Sequence, residues 1–190
     1  MDLSLVFEDA QPFRLTVDQY RTLLDGSVIE DARVELIEGM IVHMSPQSSS
    51  QTVVIAELYS RLREKLRQIG SPLVALPTPT IELPHHNALD PDVAVVEPAA
   101  VGPDFFQVAD VRLIVEVSRT SLRKDLGVKR AIYARAGVPE YWVVDVDGRA
   151  VHRFAEPQDD AYRVEPPVPL AGALASLTMP ALVIEGHGTL

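Results

Sequence analysis

The sequence predicts an α/β fold in which a mixed β-sheet is flanked by helices. After a short first helix, segments of strand and helix composition follow in the order β-β-α-β-β-β-β-α-β-β. The stretch from Val111 to Val146 has the length of a β-α-β crossover, which joins parallel strands. Because no repeat or low-complexity linker divides the 190 residues, we expect one domain, 1–190, with a core over about 15–165 and a Pro-rich C-terminal extension over 166–190.

The first third of the chain predicts two helices and a hairpin. Thr16 and Gln19 form a capping-box pattern, which indicates a short helix that ends before Gly26. Val34–Ile37 and Met40–Met44 flank a Glu-Gly turn and predict a β-hairpin. A second helix follows the Ser48–Ser50 cluster, because apolar residues recur there at helical spacing: Ile55, Leu58, Leu62, Leu66 and Ile69.

The rest of the chain is rich in strands. Branched and aromatic residues predict strands at Leu73–Leu76, Thr80–Leu83, Val93–Val96, Val111–Val117, Tyr141–Val146, Val151–Phe154 and Tyr162–Val164. One helix, about Lys124 to Ala136, interrupts them and ends at Gly137-Val-Pro139. Asp147-Gly148 predicts the turn of a second hairpin.

The composition excludes several classes of protein. Without cysteine there is no disulfide framework, no thiolate nucleophile and no sulfur-ligated zinc site. The first 13 residues lack the features of a signal peptide, and no apolar run approaches the ~20 residues of a membrane span, so a cytoplasmic protein is expected. The absence of Gly-x-Gly-x-x-Gly and Walker motifs argues against a nucleotide-cofactor enzyme.

The formal net charge of −10 argues against a general nucleic-acid binder, but the charge is unevenly distributed. Residues 1–40 hold nine acids and three arginines, whereas residues 112–135 hold seven bases against Glu116 and Asp125. Four more bases lie in residues 61–67. The basic segments are either solvated helix faces or a surface beside a functional site.

Two acidic residues lie in or beside apolar strands. Glu116 is surrounded by the aliphatic residues of Val111–Val117, and Asp92 directly precedes Val93–Val96. Because a buried lone carboxylate needs a cation, a metal or a proton, the two acids form a candidate site for Mg²⁺ or Mn²⁺. Alternatively, Asp92 belongs to a turn and Glu116 pairs with an arginine.

Lys129 is the candidate positive group. Asp125, Lys129 and Tyr133 are spaced four residues apart and share one helix face. If that face is directed at the strand ends, Lys129 would reach a phosphate oxygen or the attacking water. Alternatively, Lys129 forms an exposed ion pair with Asp125.

His85-His86, with Asp90 and Asp92 nearby, is a weaker candidate for a metal site. Adjacent histidines on a proline-flanked loop point in different directions, which disfavours joint coordination. We therefore expect them to be surface residues.

A series of short segments occurs in one order between about Val34 and Tyr162: Glu35-Leu-Ile-Glu-Gly39 with Ile41 and Met44-Ser-Pro46, Pro91-Asp-Val93, Val115-Glu-Val-Ser118, Asp125 with Lys129 and Tyr133, and Gly137-Val-Pro-Glu-Tyr-Trp142. This combination resembles the Uma-type restriction endonuclease family of the PD-(D/E)XK nuclease superfamily. The resemblance implies a restriction-endonuclease-like core and a metal-dependent phosphodiesterase site. It makes Asp92 and Glu116 the metal-binding acids, Lys129 the catalytic lysine and Glu35 an additional acid.

Three positions depart from the family's pattern. A standard superfamily site has its lysine two residues after the second acid, where this chain has Ser118, so the lysine role passes to Lys129. Gln51 stands where the family often has histidine, which removes a proton carrier or ligand, and Arg119 replaces a proline.

The resulting hypothesis is a Mg²⁺- or Mn²⁺-dependent endonuclease that hydrolyses phosphodiester bonds of DNA. Asp92, Glu116 and the Val117 carbonyl are expected to hold the metal. Lys129 would orient or activate the attacking water, and Glu35 would support the cluster or a second ion. Phosphate contacts are expected from nearby bases: Arg119, Arg123, Lys124 and Arg130. A homodimer is expected by analogy with other nucleases.

The competing hypothesis is a catalytically inactive nuclease-fold protein that acts as an oligomeric binding or regulatory module. The acidic balance, Gln51 and Ser118 favour it. The two hypotheses differ in a metal titration, because an intact site gains thermal stability from Mg²⁺ or Mn²⁺. They also differ in geometry, since catalysis requires Asp92, Glu116 and Lys129 to converge on one pocket.

Overall fold

A computed structural model describes residues 12–29, 33–100, 102 and 104–186. Its α-helices are α1 (Val17–Asp25), α2 (Ser49–Gln68), α3 (Leu122–Lys124) and α4 (Arg130–Arg135), and a π-helical turn, Asp125–Lys129, joins the last two. Pro98–Ala100 and Val108–Asp110 are short 3₁₀ helices. Within the described ranges, no helix is both long enough and apolar enough to cross a membrane.

The strands carry most of the regular structure. In chain order they are β1 (Val34–Ile37), β2 (Met40–His43), β3 (Val74–Pro77), β4 (Ile81–Leu83), β5 (Asn87–Leu89), β6 (Val93–Val96), β7 (Phe106–Gln107), β8 (Val111–Ser118), β9 (Glu140–Asp145), β10 (Ala150–Gln158), β11 (Ala161–Val164), β12 (Val168–Pro169), β13 (Ala173–Ala175) and β14 (Val183–Glu185). The predicted strands and helices are present, with ends shifted by a few residues. Strands β5, β7, β12, β13 and β14 were not predicted, and each of them is only two or three residues long.

The central sheet has the order β11-β10-β9-β8-β6-β3, and β12 adds to β10. Strands β8 and β9 are parallel and the other neighbours are antiparallel. The helical segment between β8 and β9 is the predicted crossover. The structure therefore confirms a mixed sheet flanked by helices.

The two faces of the central sheet pack against different elements. Along β8, Leu113, Val115 and Val117 belong to the core cluster under α2. The alternate residue Ile114 belongs to the opposite cluster, under α4 and the second sheet. Because side chains alternate along a strand, Glu116 and Ser118 lie on the same face as Ile114. This alternation directs Glu116 towards the helical segment that contains Lys129.

A second sheet, in the order β2-β1-β5-β4-β7, covers part of that face. Thr16 caps α1 through the predicted capping box, and Tyr20 anchors this helix to β1 by donating a hydrogen bond to the Val34 carbonyl (2.9 Å). The hairpin of β1 and β2 brings Glu35, and the segment 44–47 that follows β2, to the edge of the central sheet.

The described part of the C-terminal extension is packed against the core. Leu170, Leu174, Leu182 and Ile184 belong to the cluster under α2, so the core continues beyond residue 165. The buried Glu140 carboxylate fixes this segment by accepting four hydrogen bonds from it: one from the Ser176 hydroxyl, one from the Leu177 amide, and two from the amide and hydroxyl of Thr178. A fifth comes from the Trp142 indole in β9. The apolar residues of this segment are scattered among prolines and glycines and show no helical or strand period, so the sequence did not predict their burial.

Candidate functional site

The register of β6 and β8 brings Asp92 and Glu116 together. These antiparallel strands align Val93 with Val115 and Ala94 with Ile114. Continuing the register by one residue places Asp92 opposite Glu116, on the sheet face that α3 and the π turn cover. Both side chains are almost fully buried, with 6% and 5% of their residue surface exposed. The two predicted metal-binding acids are therefore neighbours.

The Asp92 carboxylate is held by two hydrogen bonds. Its Oδ2 accepts one from the Val117 amide at 2.7 Å, and its Oδ1 accepts one from Gln47 Nε2 at 2.5 Å. Burial raises the pKa of Asp92, although the Val117 amide and the Lys129 charge oppose the rise. The two hydrogen bonds thus fix the orientation of the Asp92 carboxylate, and its buried surroundings favour neutralisation of its charge.

Lys129 points into the site and is buried there. Its Nζ donates to Glu35 Oε1 and to Glu116 Oε1, both at 2.8 Å. Burial alone would lower the pKa of Lys129, but the charges of Glu116 and Glu35 outweigh it and raise the pKa. The exposed ion pair with Asp125 and the pairing of Glu116 with an arginine are therefore both ruled out by the geometry.

Asp125 and Lys129 lie in the π-helical turn, and both are directed inwards, as their spacing of four residues predicts. Within the five residues Asp125–Lys129, these two are buried, whereas Val128 is 45% exposed. Asp125 Oδ2 accepts a hydrogen bond from the buried Ser118 hydroxyl at 2.6 Å. A serine two residues after Glu116 therefore links β8 to the helix that supplies the lysine. Insertions of this kind in a helix are frequent at functional sites.

Glu116 is the most strongly perturbed acid of the cluster. Its Oε1 accepts hydrogen bonds from Lys129 and from the buried Tyr133 hydroxyl, the latter at 3.0 Å. Burial, which outweighs the nearby ammonium, raises the pKa of Glu116 to about 8. Asp125, Asp92 and Glu35 add to the rise. The surroundings of Glu116 therefore favour neutralisation of its charge, by a proton or by a cation.

The acids of the cluster and Lys129 line a pocket of about 300 Å³. Five acids contribute to its lining: Glu35, Asp90, Asp92, Glu116 and Asp125. Three cations, Arg33, Lys124 and Lys129, also line it. The lining therefore has a formal excess of two negative charges, which one divalent cation would neutralise.

The pocket lining also includes Arg33, Gln47 and Asp90, which the sequence did not identify as site residues. Arg33 lies two residues before Glu35, and strand alternation gives residues two apart the same side, which was the available signal. Asp90 lies in the connection between β5 and β6, where no strand period applies. Burial raises the pKa of Asp90, and its backbone amide donates to Glu35 Oε1 at 3.2 Å. Gln47 lies in an irregular segment, where no sequence period indicates the direction of a side chain.

Only one of the four residues predicted to contact phosphates lies at the pocket. Lys124 lines the pocket, whereas Arg119, Arg123 and Arg130 do not. Arg119 pairs with Asp147 at 3.2 Å, and the Arg130 guanidinium lies over the Phe154 ring at 5.3 Å from its centroid.

The Val117 carbonyl has a partner in the described structure. Gln51 Nε2 donates a hydrogen bond to it at 3.0 Å, while Gln51 Oε1 accepts one from the Ser48 amide in the α2 capping box. Gln51 therefore connects the start of α2 to β8. His85 and His86 are exposed loop residues outside the pocket.

The donor set fits a hard divalent cation held by few protein ligands. Across the described ranges, no three His, Asp or Glu side chains are arranged to enclose a metal ion. Mg²⁺ is usually bound by one or two carboxylates and several waters, so Asp92 and Glu116 suffice. Glu35 Oε2 and Asp125 Oδ1 are buried without a hydrogen-bond partner among the described residues. Such unsatisfied oxygens beside an excess of acid are expected where a cation completes the site.

Comparisons with known proteins agree with this architecture. The family model described as "Uma2: Putative restriction endonuclease" matches residues 17–185. Among solved structures, the chain is similar to the crystal structure of a "putative nuclease belonging to DUF820" from Anabaena variabilis, with a TM-score of 0.68, 13% identity, and coverage of 92% of this chain and 95% of that chain. At this identity the likeness establishes a shared fold. A comparison with curated proteins found no match.

Proposed function

The chain belongs to the Uma2 family, and we propose that it is a divalent-metal-dependent endonuclease that hydrolyses phosphodiester bonds of DNA. The observation that carries the proposal is the position of Lys129. Its ammonium is buried between Glu35 and Glu116 at the edge of a pocket that Asp92 also lines. An ammonium and several carboxylates that face one cavity are the groups that phosphoryl transfer requires.

Asp92 and Glu116 would hold the metal, Mg²⁺ or Mn²⁺, through carboxylate oxygens. When bound, the cation supplies charge neutralisation at the scissile phosphate and lowers the pKa of a water. The fixed hydrogen bonds to Asp92 from Gln47 and Val117 keep its carboxylate oriented. Glu35 supports the cluster by holding Lys129 and the Asp90 amide on one oxygen.

Lys129 would act as a hydrogen-bond donor and a positive charge. An ammonium has three N–H donors, and Glu35 and Glu116 accept two of them. The third remains for the attacking water or a phosphate oxygen. Because its pKa is raised, Lys129 stays protonated and stabilises developing negative charge rather than removing a proton.

Cleavage of supercoiled plasmid DNA tests the proposal. Wild-type protein should nick or linearise the plasmid with Mg²⁺ or Mn²⁺ and not with EDTA. Asp92→Asn and Glu116→Gln keep the side-chain size and should reduce the rate by about a hundredfold or more. Glu64→Gln is the matched control, because Glu64 is an exposed acid of α2 paired with Arg67.

Two results would contradict the proposed nuclease activity. Cleavage that persists unchanged in the Asp92→Asn/Glu116→Gln double variant would remove these acids from the reaction. Metal-dependent stabilisation without cleavage of any DNA would instead support the catalytically inactive module of the same fold, and size-exclusion measurements would then determine whether it is a homodimer.

A further inference from the structure

We propose that Arg33 and Lys124 form a phosphate clamp at the mouth of the acidic pocket, and that they bind backbone phosphates of the DNA strand that enters it. The inference rests on the proposed nuclease function and adds a substrate-binding site to it. The phosphate contacts are assigned to these two cations instead of to the broad basic surface over residues 119–130. Arg33 lies 86 residues before that surface begins in the sequence.

Arg33 is placed at the pocket by the β1–β2 hairpin. The Met44 amide donates to the Arg33 carbonyl at 2.7 Å, which continues the antiparallel ladder by one residue pair. Directly opposed residues of an antiparallel pair share one face, so Arg33 and Met44 point to the same side. Both line the pocket. The Arg33 charge also opposes the rise in pKa of Asp90 and Asp92, as expected for a cation close to both acids.

Lys124 approaches the same rim from the helical side. It is the last residue of α3, and its Nζ lies 3.0 Å from Met44 Sδ. A thioether is only a weak acceptor, so this contact leaves the ammonium available to an anion. Met44 thus adjoins both cations, one through its backbone and one through its sulfur.

Neither cation is neutralised within the described structure. No described carboxylate lies within ion-pair distance of Arg33 or Lys124, whereas Lys129 is shared by two carboxylates and Arg119 is paired with Asp147. An acidic pocket repels a phosphodiester until cations compensate it. Free cations at its mouth would attract the phosphates that flank the scissile one and set the register of the strand.

Salt-dependent DNA binding tests the clamp. Binding of a short labelled duplex is measured with Ca²⁺ replacing Mg²⁺, over a series of NaCl concentrations, for wild type, Arg33→Gln, Lys124→Gln and the double variant. Each lost phosphate contact lowers the slope of log K against log salt by about 0.9, so the double variant should lose about 1.8. Arg63→Gln and Lys65→Gln are matched controls, because these residues lie on α2 outside the pocket, twelve or more residues beyond Gln51.

The outcomes separate the clamp from the function on which it rests. An unchanged slope in the double variant, with wild-type binding and thermal stability retained, would overturn the clamp and leave the nuclease proposal standing. An equal loss from Arg119→Gln and Arg123→Gln would also overturn it, since binding would then be diffuse. Binding with the predicted slopes but no Mg²⁺-dependent cleavage would support the clamp and contradict the nuclease. Absence of any DNA binding by wild type would overturn both.

Discussion

Lys129 Nζ lies 2.8 Å from Glu35 Oε1, although 94 residues separate the two positions in the chain. The contact joins the β1–β2 hairpin to the helical crossover of the central sheet. It holds a charge that is almost fully buried, since the Lys129 side chain is 3% exposed. The ion pair therefore has a structural consequence as well as the proposed catalytic one.

Lys129→Met should reduce both activity and stability. The substitution keeps the length of the side chain but leaves Glu35 and Glu116 without their shared cation. We expect Mg²⁺-dependent cleavage to fall by about a hundredfold or more and the free energy of unfolding to fall by about 3 kcal/mol. Cleavage assays and urea denaturation measure the two effects. Lys65→Met is the matched control, and a Lys129→Met variant with wild-type cleavage would contradict the assigned role.

Tyr133 is expected to position Glu116. Tyr133→Phe removes the hydroxyl that donates to Glu116 Oε1 and keeps the aromatic packing against Tyr141. Stability should fall by about 1–2 kcal/mol and cleavage by about tenfold, with little change in DNA binding. Tyr162→Phe is a matched control, because its buried hydroxyl donates to the Val138 carbonyl outside the pocket.

Comparing the two tyrosine variants distinguishes the positioning of Glu116 by Tyr133 from a general loss of protein stability. Tyr162→Phe should show a similar loss of stability and retain wild-type cleavage at a temperature where both variants are folded. Equal cleavage by the two variants would mean that the Tyr133 hydroxyl has only a structural role.

The metal-free protein should lose stability as the pH rises from about 5 to about 8. The pKa of Glu116 is raised from 4.5 to about 8, and those of Asp90 and Asp92 are raised in the same direction, mainly by burial. A group with a raised pKa in the folded state stabilises it fully below the unfolded pKa, and that contribution is lost as the pH passes the folded pKa.

Thermal or urea unfolding in EDTA across this pH range measures the effect. Mg²⁺ should oppose the loss, because it binds the deprotonated carboxylates and competes better as the pH rises. Glu116→Gln should flatten the profile in EDTA. A stability that rises between pH 5 and 8 without metal would contradict the raised pKa values of these acids.

Much of this site could be predicted from the sequence. The apolar surroundings of Glu116, the position of Asp92 before a strand and the spacing of Asp125 and Lys129 each follow from strand and helix periods. The contact of Lys129 with Glu35 could not be predicted from these periods, because Glu35 lies on another sheet and 94 residues away in the chain. The role of Gln47 could not be predicted either, because no sequence period indicates the direction of a side chain in irregular backbone.

The C-terminal segment shows a second limit of sequence reasoning. Glu140 is as deeply buried as the acids of the site, but its five hydrogen bonds come from neutral donors. One is the nearby Trp142 indole, and the other four are hydroxyls and amides of residues 176–178, which are remote in sequence. Burial of an acid in an apolar strand therefore does not by itself identify a functional residue. The partners decide whether the acid belongs to a cation site or to a structural lock.

Glu140→Gln tests this distinction. The amide introduces N–H donors where donors already point, so stability should fall by about 2–3 kcal/mol. Mg²⁺-dependent cleavage should be unchanged at a temperature where the variant remains folded, because Glu140 lies outside the pocket. Urea denaturation and plasmid cleavage give the two results, and a loss of cleavage by folded protein would contradict the structural role.

The central claim is that the buried acids hold a divalent cation, and direct Mn²⁺ binding tests it most closely. Electron paramagnetic resonance measures free Mn²⁺ in titrations of wild type and of the Asp92→Asn/Glu116→Gln variant, with Glu64→Gln as control. We expect saturable binding by wild type and by Glu64→Gln, and an affinity weaker by about tenfold or more in the double variant. Equal affinity in the wild type and the double variant, or no binding by wild type, would contradict the claim.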